Sequence, residues 1–238
     1  RGTRSHHACA HGSGGTLQGR SCTRVTCDAL IFDLDGTLWD AAAASTFGWN
    51  LALAEMGLPQ RVTVDGIRSV SGNPFPRCVE LLLPQLHPAS AALVEALEQK
   101  ERLGIETMAG ELYEGVAEGL FDLAETYPLF VVSNCPSWYL EEFLRVSGVR
   151  RCFSGWDCHG SSGVDKPQML RRLTAASGLR EPVYVGDTRG DADAAASAGL
   201  RFVFAAYGFG TVDAPDLSFD RFTDLVRFFL RSRGPGPR

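Results

Sequence analysis

Two aspartates separated by one residue, Asp33 and Asp35, are the side chains of this chain best suited to chemistry. They stand at the end of an apolar run, residues 29–34, whose length is typical of a buried strand. Charged side chains are rarely buried unless they are paired or bound to a metal, so two carboxylates at this point need a compensating cation. Because ligands of open α/β sheets collect at the carboxyl ends of the strands, the pair predicts a cation-dependent site at a strand end.

Three later stretches place polar or charged residues where a predicted strand ends or a predicted helix begins. These residues are Ser133 and Asn134 after the apolar run 130–132, Lys166 before Pro167, and Asp187 and Asp191 after the run 183–186. Taken singly, each has an ordinary alternative role. Ser133 and Asn134 could cap a helix, Lys166 could be a solvated helix start, Asp187 could belong to a turn, and Asp191 could be an acid in the first turn of a helix. Only as an ordered set do these residues favour a chemical role over these ordinary ones.

In this order the four stretches resemble the four sequence signatures of the haloacid dehalogenase (HAD) superfamily. The similarity extends over roughly residues 28 to 232, and the hexapeptide 33–38, Asp-Leu-Asp-Gly-Thr-Leu, carries the first signature. Residues 207–210, Tyr-Gly-Phe-Gly, are similar to the Tyr-Gly-Tyr-Gly of the phosphoglycolate phosphatase branch. The resemblance implies an enzyme that hydrolyses a small-molecule phosphate monoester, with Mg²⁺, through an aspartyl-phosphate intermediate.

The resemblance also implies catalytic roles. Asp33 would be the nucleophile that becomes phosphorylated, and Asp35 the general acid and base. Ser133 and Asn134 would bind the phosphoryl oxygens. Lys166 would supply positive charge to both the nucleophile and the phosphate, and so counts as a catalytic and a phosphate-binding residue.

By the same analogy, Mg²⁺ would be held by the carboxylates of Asp33 and Asp187 and by the main-chain carbonyl of Asp35. Mg²⁺ prefers oxygen ligands and usually bridges to substrate phosphate. Asp191 would support this site indirectly, by fixing the lysine or a metal-bound water.

Two residues are candidates for substrate recognition. Arg77, at the end of the loop 71–77, could meet a second anionic group of the substrate, or could be a solvated surface arginine. Tyr207 could reach the substrate from the stretch after the last long strand, or could belong to an ordinary glycine-rich turn.

Strand-like and helix-like segments alternate, which predicts an α/β fold with a doubly wound parallel sheet, the Rossmann-like HAD core. About ninety residues separate the first signature from the next core strand, too many for a simple connection. We therefore expect a small α-helical cap over 40–108, inserted into a core formed by 25–39 and 109–232. Residues 1–24 are expected to be a disordered leader or tag, and 233–238 a disordered tail.

Within these regions the spacing of apolar residues predicts individual helices. Phe47, Leu51 and Ala54 predict a first cap helix, and Leu81 belongs to a later one. Leu112 is predicted to open the first core helix after the cap, together with the apolar residues at 116, 120 and 123.

Composition limits the possible partners. The chain has 23 basic and 28 acidic residues and a formal net charge of −5, which provides no basic surface of the kind that holds nucleic acid. No apolar run approaches the roughly 20 residues of a membrane span. The expected protein is a cytoplasmic monomer or homodimer that acts on a small phosphorylated metabolite, with no nucleic-acid or membrane partner.

Other functions remain open on the sequence. A sugar-phosphate mutase, similar to β-phosphoglucomutase, would share every core residue with a phosphatase. Dehalogenation needs no second aspartate, which Asp35 argues against, and phosphonate hydrolysis needs a cap lysine, for which Lys100 is poorly placed. A non-catalytic phospho-ligand or protein-binding module would not be expected to keep both Asp33 and Asp35.

Overall fold

A computed structural model of the chain describes residues 26–232. The expectations for residues 1–24 and 233–238 lie outside the described residues. No helix within the described range has the length and apolar character needed to cross a membrane.

The core of the fold is one six-stranded parallel sheet. Its strands are β1 (Ala29–Phe32), β4 (Leu129–Ser133), β5 (Phe153–Cys158), β6 (Pro182–Gly186), β7 (Arg201–Ala205) and β8 (Ser218–Phe219). The spatial order is β5-β4-β1-β6-β7-β8, and every neighbouring pair is parallel. Two further short strands, β2 (Trp39–Asp40) and β3 (Glu111–Leu112), pair antiparallel outside this sheet.

Helices fill the connections between the strands. They are α1 (Ala42–Glu55), α2 (Val64–Val70), α3 (Phe75–Leu82), α4 (Ala91–Met108), α5 (Val116–Ala124), α6 (Ser137–Val146), α7 (His159–Ser162), α8 (Lys166–Ala176), α9 (Arg189–Ala198) and α10 (Phe222–Ser232), with 3₁₀ turns at Pro84–Leu86 and Arg150–Cys152.

The central strand β1 shows why helices lie on both faces of the sheet. Successive side chains of a strand point to opposite faces, and all four residues of β1 are buried. Leu30 and Phe32 enter the hydrophobic cluster that includes α5, α6 and α10, whereas Ala29 and Ile31 enter the cluster that includes α8 and α9. The expected α/β class with a doubly wound parallel sheet is confirmed.

The four helices α1–α4 lie between β2 and β3, and we call residues 42–108 the helical insertion. The insertion has its own hydrophobic cluster, in which Trp49 and Leu53 of α1 pack with Leu97 of α4. Helices α1 and α4 approach closely because glycines lie at their contact. A Cβ atom on Gly48 would lie 2.2 Å from the carbonyl oxygen of Lys100, and one on Gly104 would lie 2.3 Å from that of Ala44.

Three details differ from the sequence predictions. Leu112 lies in β3 and not in a helix, because α5 begins only at Val116, after Gly115 with its positive φ of 77°. Phe47 lies on the predicted helix but is 46% exposed, and Leu81 is 43% exposed. The spacing of apolar residues thus found these helices but did not identify which apolar side chains are buried.

Candidate active site

The predicted site residues of the core converge at one edge of the sheet. Asp33 directly follows β1, Ser133 ends β4, Asp187 directly follows β6, and Lys166 opens α8. Because the strands are parallel and adjacent, their carboxyl ends lie side by side, as the position of a ligand site in an open α/β sheet requires.

Lys166 lies between two buried carboxylates. Its Nζ donates to Asp33 Oδ1 at 2.9 Å and to Asp191 Oδ1 at 2.6 Å. The side chain of Lys166 is only 4% exposed and that of Asp33 1%, so these are buried ion pairs. Burial opposes the charge of Lys166, but the negative charges of Asp191 and Asp33 outweigh it and raise the pKa of the lysine.

Asp191 uses both of its oxygens within the protein. Its Oδ1 accepts from Lys166 and, at 3.2 Å, from the Tyr184 hydroxyl. Its Oδ2 accepts from the Thr188 amide at 3.0 Å and the Thr188 hydroxyl at 2.6 Å, which completes a capping box at the start of α9. Asp191 is therefore fixed by the helix N-terminus and in turn fixes the ammonium of Lys166.

Asp187 is held by a close approach of two loops. Thr37 Oγ1 donates to its Oδ1 at 3.3 Å and the Phe209 amide donates to its Oδ2 at 2.7 Å. A Cβ atom on Gly36 would lie 2.1 Å from Asp187 Oδ2, and one on Gly208 would lie 2.3 Å from Asp187 Cβ, so both loops need glycine here. Burial and the charge of Asp191 raise the pKa of Asp187 to about 8.

The carboxylates form a cluster that can hold a metal ion. Oxygen atoms of Asp33, Asp187 and Asp191 all lie within 4.8 Å of one another. Asp33 Oδ2 is buried and has no hydrogen-bond partner among residues 26–232, which is costly unless a cation or substrate satisfies it. Burial, followed by the charge of Asp191, raises the pKa of Asp33 to about 6. A buried set of oxygen donors that lacks enough positive charge fits a hard divalent cation such as Mg²⁺.

Asp35 has a different environment. The Tyr139 hydroxyl, from the first turn of α6, donates to its Oδ1 at 2.5 Å. Burial raises the pKa of Asp35 to about 7, although the hydrogen bond from Tyr139 acts in the opposite direction. A carboxyl with this pKa can both give and take a proton near neutral pH.

Ser133 and Asn134 lie beside Asp35 at the end of β4. Ser133 is buried, and its Oγ accepts from the Cys135 amide at 3.3 Å. Asn134 Nδ2 donates to the carbonyl oxygen of Gly72, in the loop between α2 and α3, at 2.7 Å. In this structure the Asn134 amide therefore ties the core to the helical insertion.

The two candidates for substrate recognition lie elsewhere. The Arg77 side chain is 56% exposed on α3 and pairs with Glu80 at 2.9 Å. The Tyr207 hydroxyl donates to the main-chain carbonyl of Thr37 at 2.9 Å, and its ring packs edge-on against Tyr113. The structure thus brings the seven core residues together; Arg77 lies on the surface of the insertion, and Tyr207 bonds Thr37 in the loop that also holds Asp187.

A cavity opens beside Asp35, between the core and the helical insertion. Asp35, Ser133 and Tyr139 line its core end, and Trp49 and Glu101 line its insertion end. Tyr139, Trp49 and Glu101 are not among the site residues predicted from the sequence. Tyr139 follows the second signature by five residues, in the first turn of the helix that starts at the site, and this position is the signal that could have identified it.

The fold, the buried aspartates at the strand ends and the paired lysine together define the class of protein to which this chain belongs. The chain belongs to the haloacid dehalogenase-like hydrolase family, whose model matches residues 27–199. It is a phosphatase of this family.

Its relatives include phosphoglycolate phosphatases. The phosphoglycolate phosphatase of Pectobacterium atrosepticum is 31% identical over 211 residues, which cover 83% of this chain and 90% of that protein. The phosphoglycolate phosphatase of Xanthomonas campestris pv. campestris is 32% identical over 201 residues, 80% of this chain and 88% of that protein. A crystal structure of a predicted phosphoglycolate phosphatase from Haemophilus somnus superimposes with a TM-score of 0.74 at 25% identity and covers 89% of this chain and all of that one.

Proposed function

We propose that the enzyme hydrolyses a small phosphate monoester in two steps at Asp33. The observation that carries this proposal is the orphaned, buried Oδ2 of Asp33, whose other oxygen accepts from Lys166. An oxygen without a hydrogen bond keeps its lone pairs for an electrophile, and the lysine beside it offsets the charge of an approaching phosphate.

In the first step, an oxygen of Asp33 forms a bond to phosphorus and the bond from phosphorus to the ester oxygen breaks. Asp35 gives its proton to the leaving oxygen. In the second step, water attacks the phosphorus of the aspartyl-phosphate, Asp35 takes a proton from that water, and phosphate leaves from Asp33. One carboxyl with a pKa near neutrality can serve both steps.

The proposed cofactor is Mg²⁺, held by the carboxylates of Asp33 and Asp187 and by the main-chain carbonyl of Asp35. When bound, it would neutralise the charge that crowds this edge of the sheet and draw the phosphate toward Asp33. Asp191 has no oxygen left for this role, because both accept hydrogen bonds from Lys166, Tyr184 and Thr188. We assign Asp191 to positioning Lys166.

The remaining residues would bind the phosphoryl group or cover it. Ser133 and Lys166 lie at the same sheet edge as Asp33 and would donate to phosphoryl oxygens. Asn134 would do the same only after releasing Gly72. We propose that residues 40–108 form a cap over a core made of 25–39 and 109–232, since the insertion has a separate hydrophobic cluster and contacts Asn134 at the site.

The substrate would be a small phosphorylated metabolite, and the names of the relatives make phosphoglycolate the first ester to examine. A cytoplasmic location and a monomeric or homodimeric state remain predictions.

The test is phosphate release from a panel of small esters by the wild type and by Asp33→Asn, with Mg²⁺ or with EDTA. We expect release that needs Mg²⁺ and that Asp33→Asn abolishes. Asp193→Asn is the matched control, because Asp193 is an exposed aspartate of α9 that pairs with Arg189 on the surface. Hydrolysis that survives Asp33→Asn would contradict the proposal, and movement of phosphate between hydroxyls without release would identify a mutase.

A further inference from the structure

The cavity beside Asp35 is where the leaving group of the ester must lie, because Asp35 is the proposed proton donor to that group. Its volume is about 60 Å³. A cavity needs about 10–15 Å³ to hold one water molecule, so this one has room for a small leaving group.

The described walls of this cavity contain no cationic side chain. Among the described residues that line it, none is a lysine, an arginine or a histidine. The charged side chains there are Asp35, at the core end, and Glu101, at the insertion end. The other walls are largely apolar or uncharged and include Trp49, Ile67 and Asn73.

Glu101 is held firmly against the cavity. It is a buried residue of α4, and the indole Nε1 of Trp49 donates to its Oε2 at 3.1 Å. The contact between α1 and α4 through Gly48 leaves almost no space, since a Cβ atom there would lie 2.6 Å from the Cα of Glu101. Burial, the largest influence, raises the pKa of Glu101 above its usual value, and the hydrogen bonds from Ser45 and Trp49 only partly oppose that rise.

This charge pattern disfavours an anionic leaving group. A carboxylate placed in the cavity would lose its hydration without gaining a cationic partner from the walls. A hydroxyl or an ammonium group would instead donate a hydrogen bond to Glu101, and hydrogen bonds in which either partner is ionised are among the stronger ones.

We propose that the substrate is the phosphate ester of a small alcohol that presents hydrogen-bond donors and carries no negative charge, and that Glu101 selects it by accepting from those donors. The inference rests on the proposed function, because it takes Asp35 as the residue that protonates the leaving group. It makes Glu101 a specificity-determining residue contributed by the helical insertion.

The test compares three esters of similar size that differ in the charge of the leaving group. They are glycerol 3-phosphate, which is neutral, O-phosphoethanolamine, which carries an ammonium, and 2-phosphoglycolate, which carries a carboxylate. With the Mg²⁺-loaded wild type, we expect kcat/KM for at least one of the first two to exceed that for 2-phosphoglycolate by about tenfold or more, the effect of one charged hydrogen bond.

The Glu101→Gln variant then shows whether Glu101 determines substrate selectivity or only stabilises the fold. The amide keeps one oxygen that can accept from Trp49 and replaces the other with an NH₂ donor, which can pair with a carboxylate but not with an ammonium. We therefore expect kcat/KM to fall about tenfold for O-phosphoethanolamine, to fall less for glycerol 3-phosphate and to rise for 2-phosphoglycolate. Glu95→Gln, on the exposed side of the same helix, should leave all three values unchanged.

The outcomes distinguish the two proposals. If 2-phosphoglycolate is the best of the three esters, or if Glu101→Gln changes all three by the same factor, the inference about the leaving group is wrong and the hydrolytic function stands. If none of the three is hydrolysed but acetyl phosphate is, the inference is again wrong. If acetyl phosphate also fails, or if Asp33→Asn retains hydrolysis, the proposed function itself is overturned.

Discussion

The edge of the sheet and the cavity under the helical insertion are neighbouring regions that are built in opposite ways. At the sheet edge, carboxylates and one lysine are buried in contact, and their charges partly cancel. At the insertion end of the cavity, the only acidic side chain among the described lining residues is Glu101, which lies far along a helix among largely apolar walls. The first arrangement is suited to a reaction that every phosphate ester shares, and the second to discrimination among the alcohols that phosphate esters release.

The difference has a physical cause. Side chains at the ends of adjacent parallel strands are placed by the register of the sheet, so they tolerate little change. Side chains in the insertion are placed by helix packing, which sequence changes can alter without disturbing the strand ends. Chemistry and selectivity can therefore change separately in this fold.

The largest effect should come from the proton donor at the sheet edge. Asp35→Asn removes the exchangeable proton but keeps the main-chain carbonyl and an acceptor for Tyr139. We expect kcat to fall by about 10²–10⁴-fold. Thermal stability should not fall, because a buried acid becomes a neutral amide of the same shape. Steady-state phosphate release and a melting curve check both statements, with Asp193→Asn as the control. A kcat within about threefold of the wild type would remove Asp35 from the mechanism.

The next prediction compares a buried lysine of the core with a surface lysine of the insertion. Lys166→Met leaves the carboxylates of Asp33 and Asp191 without their partner, and we expect the free energy of unfolding to fall by about 3–5 kcal/mol. Lys100 pairs with Glu55 at 2.7 Å near the surface, so Lys100→Met should cost about 0–1 kcal/mol. Urea denaturation in EDTA measures both. Equal losses would mean that the buried pairs do not hold the sheet edge together.

A smaller effect should follow from crowding the contact between α1 and α4. Gly104→Ala places a methyl group 2.3 Å from the carbonyl oxygen of Ala44, and such overpacking costs about 1–3 kcal/mol. Since this contact lies in the insertion, the affinity for Mg²⁺ should not change, and calorimetric titration with Mg²⁺ can show this. Gln99→Ala, on the exposed side of α4, should stay within about 0.5 kcal/mol of the wild type. A loss of Mg²⁺ affinity in Gly104→Ala would show that the two regions are coupled.

The sequence was most informative where local pattern and chemistry coincide. The parallel sheet followed from apolar runs of strand length, and the residues that converge at its edge, from Asp33 to Asp191, each follow such a run or open a helix. Burial on both faces makes these strands almost continuously apolar, which is why they could be recognised. The edge strand β5 escaped prediction because its exposed residues, such as Ser154 and Trp156, interrupt that pattern.

The cavity could not be predicted in the same way. Glu101 lies on a helix with many charged residues, and nothing in its local sequence distinguishes it from exposed Glu95 or Glu106. Its burial depends on Trp49, 52 positions earlier, and on the glycines that bring α1 against α4. Contacts between distant helices decide which acid faces inward, and a single sequence does not record them.

The smallest expected effect on activity comes from a substitution of Arg77. It tests directly whether a loop position predicted from the sequence contributes to substrate binding. Its position in a loop of the insertion made it a candidate for binding a second anionic group, yet the side chain lies on the surface with Glu80. Arg77→Ala should therefore change kcat/KM for every ester by less than about twofold, because an exposed pair contributes about 0.2–1 kcal/mol to stability and nothing to the cavity. Parallel assays of Arg77→Ala and Glu101→Gln on the same three esters check this. If Arg77→Ala selectively lost 2-phosphoglycolate hydrolysis, the arginine would have to enter the site during turnover, and the division between a charged sheet edge and a cavity without cations would not hold.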